Sequence, residues 1–169
     1  MGRLPTHYAS KRIIGRTPYV MFSEVTLGST GGAGNPLPFV EQQFPDIDLA
    51  FDVDKPFEIH RLIPWAQYLT FSGAVFSPTF DIMALLDTAQ VVIRDGAKNV
   101  SLTQNPTIMS SLVRGPARQT WEFEDPYYLT RGENLHVGIT ATPPAIDAGV
   151  QSATRYMLAF EGSLVWLEE

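Results

Sequence analysis

Residues 46–54 read Asp46-Ile47-Asp48-Leu49-Ala50-Phe51-Asp52-Val53-Asp54. Apolar side chains occupy every second position, and carboxylates occupy most of the positions between them. Alternate residues of a β-strand point to opposite faces of the sheet. The pattern therefore predicts a strand with one face on an apolar core and an acidic face toward water.

The same period of two recurs from residue 57 to the end of the chain, interrupted at short intervals by turn-forming residues such as Asp95-Gly96, Arg131-Gly132 and Glu161-Gly162. The further predicted strands are 57–62, 68–76, 89–94, 99–103, 107–113, 119–123, 135–141, 154–160 and 164–167. Residues 77–88 fit either a strand or a short helix. We favour the helix, because Ser77 suits an N-cap and Pro78 the first helical position.

These elements predict an all-β fold, an antiparallel β-sandwich of jelly-roll or Ig-like topology. The 169 residues fit one domain with an attached segment, and a hydrophobic content of 44% is enough for a core. The longest unbroken apolar run, residues 82–86, is far too short to span a membrane. The chain has no cysteine, which excludes disulfides, thiol catalysis and sulfur-ligated metals.

Residues 1–45 differ in composition from the rest of the chain, since they hold five of the 13 prolines and six of the 13 glycines. The glycines and prolines of residues 31–38 disfavour regular strand pairing, so this stretch is predicted to be a linker. Apolar residues at 13–14 and 19–22 need a surface to lie on. We therefore predict an extended N-terminal arm over residues 1–45 and a sandwich domain over residues 46–169.

Charge is distributed unevenly around a net value of −6. Residues 1–23 hold four basic residues and no acidic one, whereas the remainder is strongly acidic. A basic arm suits an acidic partner surface, on a neighbouring copy in a homo-oligomer or on another protein. The predicted partner-binding residues are Arg3, Lys11, Arg12, Ile13, Ile14, Arg16, Tyr19 and Phe22. A solvated tail without a binding role is the alternative, and nucleic acid ranks last because the cations are few and scattered.

The carboxylates Asp46, Asp48, Asp52 and Asp54 form an acidic stripe on the predicted strand, with nearest neighbours roughly 7 Å apart. Three interpretations are open. The stripe is a solvated face that discourages edge pairing, it supplies part of a calcium shell, or it docks Lys11, Arg12 and Arg16 of an adjacent copy.

Candidate catalytic groups are sparse. The histidines His7, His60 and His136 lie far apart in sequence, without the spacing of a metal motif, and no nucleophile elbow or phosphate loop is present. We therefore predict no catalytic residues, no metal site and no cofactor. An enzyme that depends on His60 or His136 is the third-ranked hypothesis.

A resemblance to a known class of proteins rests on several segments: residues 57–62, Asp95-Gly96, residues 102–106, residues 127–139 and residues 160–162. Their layout, an apolar strand, a Gly-Glu turn, another apolar strand and a last hairpin, resembles the small β-sandwich structural proteins of tailed-phage virions. The resemblance implies a capsid decoration or minor capsid protein. It further implies a non-enzymatic role in the virion, homo-oligomerisation and binding to the outer surface of the capsid lattice, through the major capsid or another virion protein. No membrane partner is predicted, because the apolar runs of the sequence are short.

A carbohydrate- or receptor-binding module is the alternative function. Sandwich domains present aromatic rings to sugars, and Trp65, Tyr68, Tyr127 and Tyr128 lie in or beside predicted turns. This hypothesis requires those rings to be exposed.

Overall fold

The structure is a computed structural model that describes residues 8, 10–29, 42–43, 47–72, 75–77, 82–103, 105–114, 119–142 and 151–168. Its strands are β1 (Ile13–Ser29), β2 (Gln42–Gln43), β3 (Ile47–Ala50), β4 (Phe57–Ser72), β5 (Val75–Ser77), β6 (Ala89–Asp95), β7 (Val100–Ser101), β8 (Thr107–Ile108), β9 (Val113–Arg114), β10 (Gln119–Leu129), β11 (Asn134–Ala141) and β12 (Gln151–Leu167). The helical elements are α1 (Ile82–Asp87) and a 3₁₀ turn (Met109–Leu112).

The strands form two antiparallel sheets of six strands each. The first sheet has the order β1-β12-β4-β10-β9, with β5 beside β4. The second has the order β2-β11-β6-β7, with β3 also beside β11 and β8 beside β6. The two sheets pack against each other, so the predicted all-β sandwich is confirmed.

The core lies between the sheets and follows the alternation of the strands. Ile59 and Leu158 bury their side chains from the first sheet, and Ile93 and Val137 from the second. In β11 every second residue is buried. Each such side chain contributes about 1.5–3 kcal/mol when it leaves water.

Two pairs of predicted strands are single long strands in the structure. β4 runs from Phe57 to Ser72, and β12 passes through Glu161-Gly162 where we predicted a turn. The register between β12 and β4 shifts there, as in a β-bulge. Gly162 is required because a Cβ atom would lie 2.8 Å from the carbonyl carbon of Glu58 and closer still to its oxygen.

A helix does form within residues 77–88, but Ser77 is not its N-cap. Ser77 ends β5, and α1 begins at Ile82 and buries Leu85 and Leu86. Within the described part of the chain, no helix has the length and apolar character needed to cross a membrane. The predicted strand 107–113 is interrupted by the 3₁₀ turn, which buries Met109 and Leu112 three residues apart.

The structure differs from the predicted arm over residues 13–29, because these residues form β1 and pair with β12 of the same chain from Ile13 to Ser29. The physical reason lies in their own alternation, since Met21 and Val25 belong to the core. The sandwich domain therefore includes residues 13–29, which the composition predicts to be part of the arm. Residues 1–7, 9, 30–41 and 44–45 of the predicted arm lie outside the described residues.

The strand predicted at residues 46–54 is regular only over β3. Its alternation nevertheless continues, with Phe51 buried and Asp52 and Asp54 exposed. The backbone leaves the ladder because Phe51 bonds to the turn after β10: its N–H donates to Glu133 O (3.0 Å), and its carbonyl accepts from the Gly132 N–H (2.9 Å).

Candidate functional site: the outer face of the first sheet

Strand β1 places different side chains on its two faces. Tyr19 turns inward and meets the ring of Phe57 edge to face, with centroids 5.1 Å apart. Val20 and Phe22 turn outward and are 51% and 58% exposed, and Ile14 near the start of the strand is 62% exposed. Large apolar side chains at this exposure are costly in water unless another surface covers them.

The register of the sheet extends this apolar surface across three strands. Phe22 on β1 lies beside Ala159 on β12, which lies beside Ile63 on β4. In the next row Met157 lies beside Trp65. We call Val20, Phe22, Ile63, Trp65, Met157 and Ala159 the outer patch.

Ion pairs border the outer patch on two sides. Arg61 Nε lies 2.9 Å from Glu161 Oε2, in the row that contains Val20. Arg155 Nε lies 3.1 Å from Glu24 Oε1 on the opposite side. An apolar centre with a charged rim is the arrangement found in protein–protein interfaces.

One end of the same face holds a buried carboxylate. Glu58 is only 3% exposed, and it accepts hydrogen bonds from Arg16 Nε (2.6 Å) and the Tyr128 hydroxyl (2.7 Å). His60 Nε2 lies 3.5 Å from it. Burial alone would raise the pKa of Glu58, but these hydrogen bonds and the charges of Arg16 and His60 hold it below the ordinary value.

The partners of Glu58 respond in the opposite direction. Burial and the hydrogen bond to Glu58 raise the pKa of Tyr128 to about 12. The hydrogen bond to Glu58 raises the pKa of Arg16 as well. At neutral pH Glu58 is therefore ionised, Tyr128 is neutral and Arg16 is protonated. This arrangement suits a structural contact that joins β1, β4 and β10.

A second buried carboxylate, Asp95, closes the turn between β6 and β7. It accepts from the backbone N–H of Lys98 (2.8 Å), from Lys98 Nζ (2.9 Å) and from the Tyr127 hydroxyl (2.6 Å). Burial would raise the pKa of Asp95, but these bonds lower it, and burial together with Asp95 raises the pKa of Tyr127. Lys98 Nζ also reaches Glu133 (2.8 Å), so the cluster ties two turns together.

The predicted acidic stripe is bound by basic and amide groups of its own chain. Asp48 contacts His136 and accepts from Asn134 Nδ2 (3.2 Å), while Asp52 and Asp54 share Arg131. Asp46 lies outside the described residues. Among the residues that the structure describes, no three His, Asp or Glu side chains are grouped to hold a metal ion.

The structure separates the predicted partner-binding residues. Ile14, Phe22, Lys11 and Arg12 are exposed, and their role in binding a partner remains a prediction. The other members have different environments: Tyr19 packs on the core, Ile13 is half-buried, Arg16 pairs with Glu58 rather than with the stripe, and Arg3 lies outside the described residues.

The aromatic residues of the alternative function are largely engaged within the chain. Tyr127 and Tyr128 are half-buried, and their hydroxyls donate to Asp95 and Glu58. Trp65 is half-buried in the outer patch, and the side chain of Tyr68 is outside the described set. The two tyrosines therefore offer little free ring surface for a sugar.

The sequence singled out Trp65 as a candidate binding residue but did not reveal the other patch residues on β4 and β12, namely Ile63, Met157 and Ala159. The available signal was the continuous apolar run 62–66, because a strand that is apolar on both faces is typical of a sheet covered on both sides. The buried carboxylates Glu58 and Asp95 gave no comparable signal, since partners distant in sequence neutralise them.

Comparisons with protein-family models, curated proteins and solved structures gave no significant match.

Proposed function

We propose that this protein is a structural protein of a virus particle, a capsid decoration or minor capsid component, that attaches through the outer patch of its first sheet. The observation that supports the proposal most strongly is the exposure of Val20 and Phe22 on β1, with Phe22 in register with the apolar Ala159 of β12 and Ile63 of β4. The assignment to virus particles rests on the resemblance described above.

The chemistry of the outer patch suits a permanent contact. Burial of apolar surface contributes roughly 25 cal/mol for each Å² removed from water, without directional requirements. The ion pairs Arg61–Glu161 and Arg155–Glu24 then orient the partner at the rim. A particle holds many copies, so modest contacts add up to strong retention.

The proposal changes the attachment surface that the sequence predicted. Residues 13–29 bind their own sheet through backbone pairing, so they cannot at the same time serve as a free arm in this conformation. Their outward side chains, above all Val20 and Phe22, take over the binding role. The proposed partners are other copies of this chain and the major capsid or another virion protein.

The experiment compares particle association of three forms of the chain. An antibody against the chain should detect the wild type in virus particles that are purified by density from a culture of the virus that encodes the chain. The double variant Ile63→Thr, Trp65→Thr removes part of the outer patch away from the β1 edge, and we expect about tenfold less chain on the particles, from about 1.4 kcal/mol of lost apolar contact.

The matched control is Val100→Thr, Ile108→Thr, which removes two apolar side chains, 45% and 44% exposed, from the second sheet. It should associate like the wild type. Absence of the chain from purified particles, or equal loss in both double variants, would contradict the proposal.

A further inference from the structure

Strand β1 forms one end of the first sheet. Within the part of the chain that the structure describes, β1 pairs with β12 on one side and with no strand on the other. It is 17 residues long, and the segment 17–23 carries no charge. Long apolar edges of this kind pair with further strands unless charges, prolines or bulges protect them.

The hydrogen bonds of β12 show which residues of β1 face the open edge. Val165 is opposite Arg16, and its N–H donates to Pro56 O (2.8 Å), away from β1. In an antiparallel ladder the two residues of a pair either both bond to each other or both point outward. The backbone groups of Arg16 therefore point to the open edge, and so do those of every second residue after it, namely Pro18, Val20, Phe22 and Glu24.

These edge-facing residues are self-complementary about Val20. If a second β1 strand runs antiparallel with Val20 opposite Val20, then Arg16 lies opposite Glu24 and Pro18 lies opposite Phe22. Arg16 and Glu24 are the two charged residues of β1, so a two-fold axis at Val20 generates two Arg16–Glu24 pairs between the copies. A register shifted by two residues loses both charge pairs.

Arg16 and Glu24 are both able to form this pair with the second copy. Arg16 uses Nε and Nη2 on Glu58, its side chain is 49% exposed, and Nη1 has no partner among the described residues. Glu24 places Oε1 near Arg155 and is 37% exposed. Pro18 lacks an N–H and weakens the edge, but the carbonyl of Pro18 still accepts from Phe22 of the other strand.

We propose that β1 pairs with β1 of a second copy about a two-fold axis at Val20, which joins the two first sheets into one continuous sheet. The pairing brings the outer patches of both copies together along one face. The inference deepens the proposed function by naming the partner of the β1 edge, and it rests on that function only for the premise that the chain assembles.

The test uses single cysteines, which are unambiguous because the chain has none of its own. Paired residues of an antiparallel ladder lie about 5.5 Å apart, within disulfide range. Mild oxidation should therefore link Val20→Cys to itself. Pro18→Cys and Phe22→Cys should each stay unlinked, since like positions lie roughly 13 Å apart, but a mixture of the two should yield the mixed dimer.

Two further variants keep the test specific. Val100→Cys, exposed on the second sheet, measures random collision and should give little dimer. Glu24→Lys leaves Glu58 and its contacts intact. In the proposed dimer this variant places a positive charge opposite Arg16 at both symmetry-related positions, so we expect the dissociation constant of the dimer to rise about tenfold. Circular dichroism of each variant verifies the fold.

Absence of a Val20→Cys dimer in folded protein, or self-linking of Phe22→Cys, would overturn the two-fold pairing. That outcome with normal particle association of the wild type would leave the proposed function intact. A clean Val20→Cys dimer in a chain that is absent from purified particles would instead support the β1 pairing and contradict the proposed function.

Discussion

Arg16 on the edge strand reaches across β12 and binds the buried carboxylate of Glu58 on β4, with Nε 2.6 Å from Oε2 and Nη2 3.4 Å from Oε1. The contact joins strands that are not neighbours in the sheet. The edge strand is therefore held by a side-chain tie as well as by its backbone ladder.

The first prediction concerns this tie. Arg16→Ala leaves the Glu58 carboxylate buried with Tyr128 and His60 alone, so we expect the free energy of unfolding to fall by about 1–2 kcal/mol. Urea denaturation measures the change. Arg12→Ala, which removes an exposed arginine side chain, is the control and should change stability little; equal effects in both variants would show that Glu58 does not need Arg16.

The second prediction is a loss of stability in acid. Glu58 and Asp95 have pKa values lowered from 4.5 and 3.8 by their partners, so both take up protons more readily in the unfolded chain. Their stabilising contribution is full above those ordinary values and is lost as the pH falls through them toward the folded pKa values. Denaturation midpoints measured from pH 7 to pH 3 should fall accordingly.

Asp95→Asn isolates one of the two carboxylates. This variant should be less stable at pH 7 and should lose less on acidification than the wild type. Asp87→Asn, an exposed carboxylate on α1, should reproduce the wild-type profile. An unchanged acid profile in Asp95→Asn would refute the assignment.

The third prediction compares two glycines of the first sheet. Gly162→Ala forces a methyl group against the backbone of Glu58, so we expect a loss of about 3 kcal/mol or more, or failure to fold. Gly15→Ala meets nothing closer than Trp166 Cβ at 3.8 Å and should be tolerated. Thermal unfolding of both variants tests the close approach of β12 and β4 at the bulge.

The fourth prediction concerns calcium and the acidic stripe. Arg131 already contacts Asp52 and Asp54, so added calcium must displace it. We expect neither calcium nor a chelator to change the thermal unfolding temperature. A saturable rise with calcium that disappears in Asp52→Asn would instead favour the calcium interpretation of the stripe.

The sequence predicted the strands whose two faces differ in polarity. β11 and β6 alternate cleanly between buried and more exposed residues, and their bounds lie within one residue of the prediction. The helix over part of residues 77–88 was also foreseen, although its start was not. Local alternation and turn-forming residues determine these elements, so they can be predicted from the sequence.

Long-range pairing decided the features that the sequence did not reveal. Glu161-Gly162 has the composition of a turn, yet the neighbouring strands β1 and β4 hold it in a continuous strand. The prolines and glycines of residues 1–45 and the basic charge at their start predict an arm, yet Met21 and Val25 within this segment belong to the core. The outer patch depends on which strands become neighbours, which is a property of the sheet order.

Sedimentation velocity over a range of concentrations tests the central claim, that the chain assembles through β1 and the outer patch, most directly. The wild type should sediment as a dimer or larger species at high concentration. Phe22→Asp, which charges the middle of the patch, should remain monomeric, while Val100→Asp on the second sheet should associate like the wild type. A wild-type chain that stays monomeric at about 100 μM, roughly a hundredfold above the μM range in which specific interfaces associate, would contradict the claim.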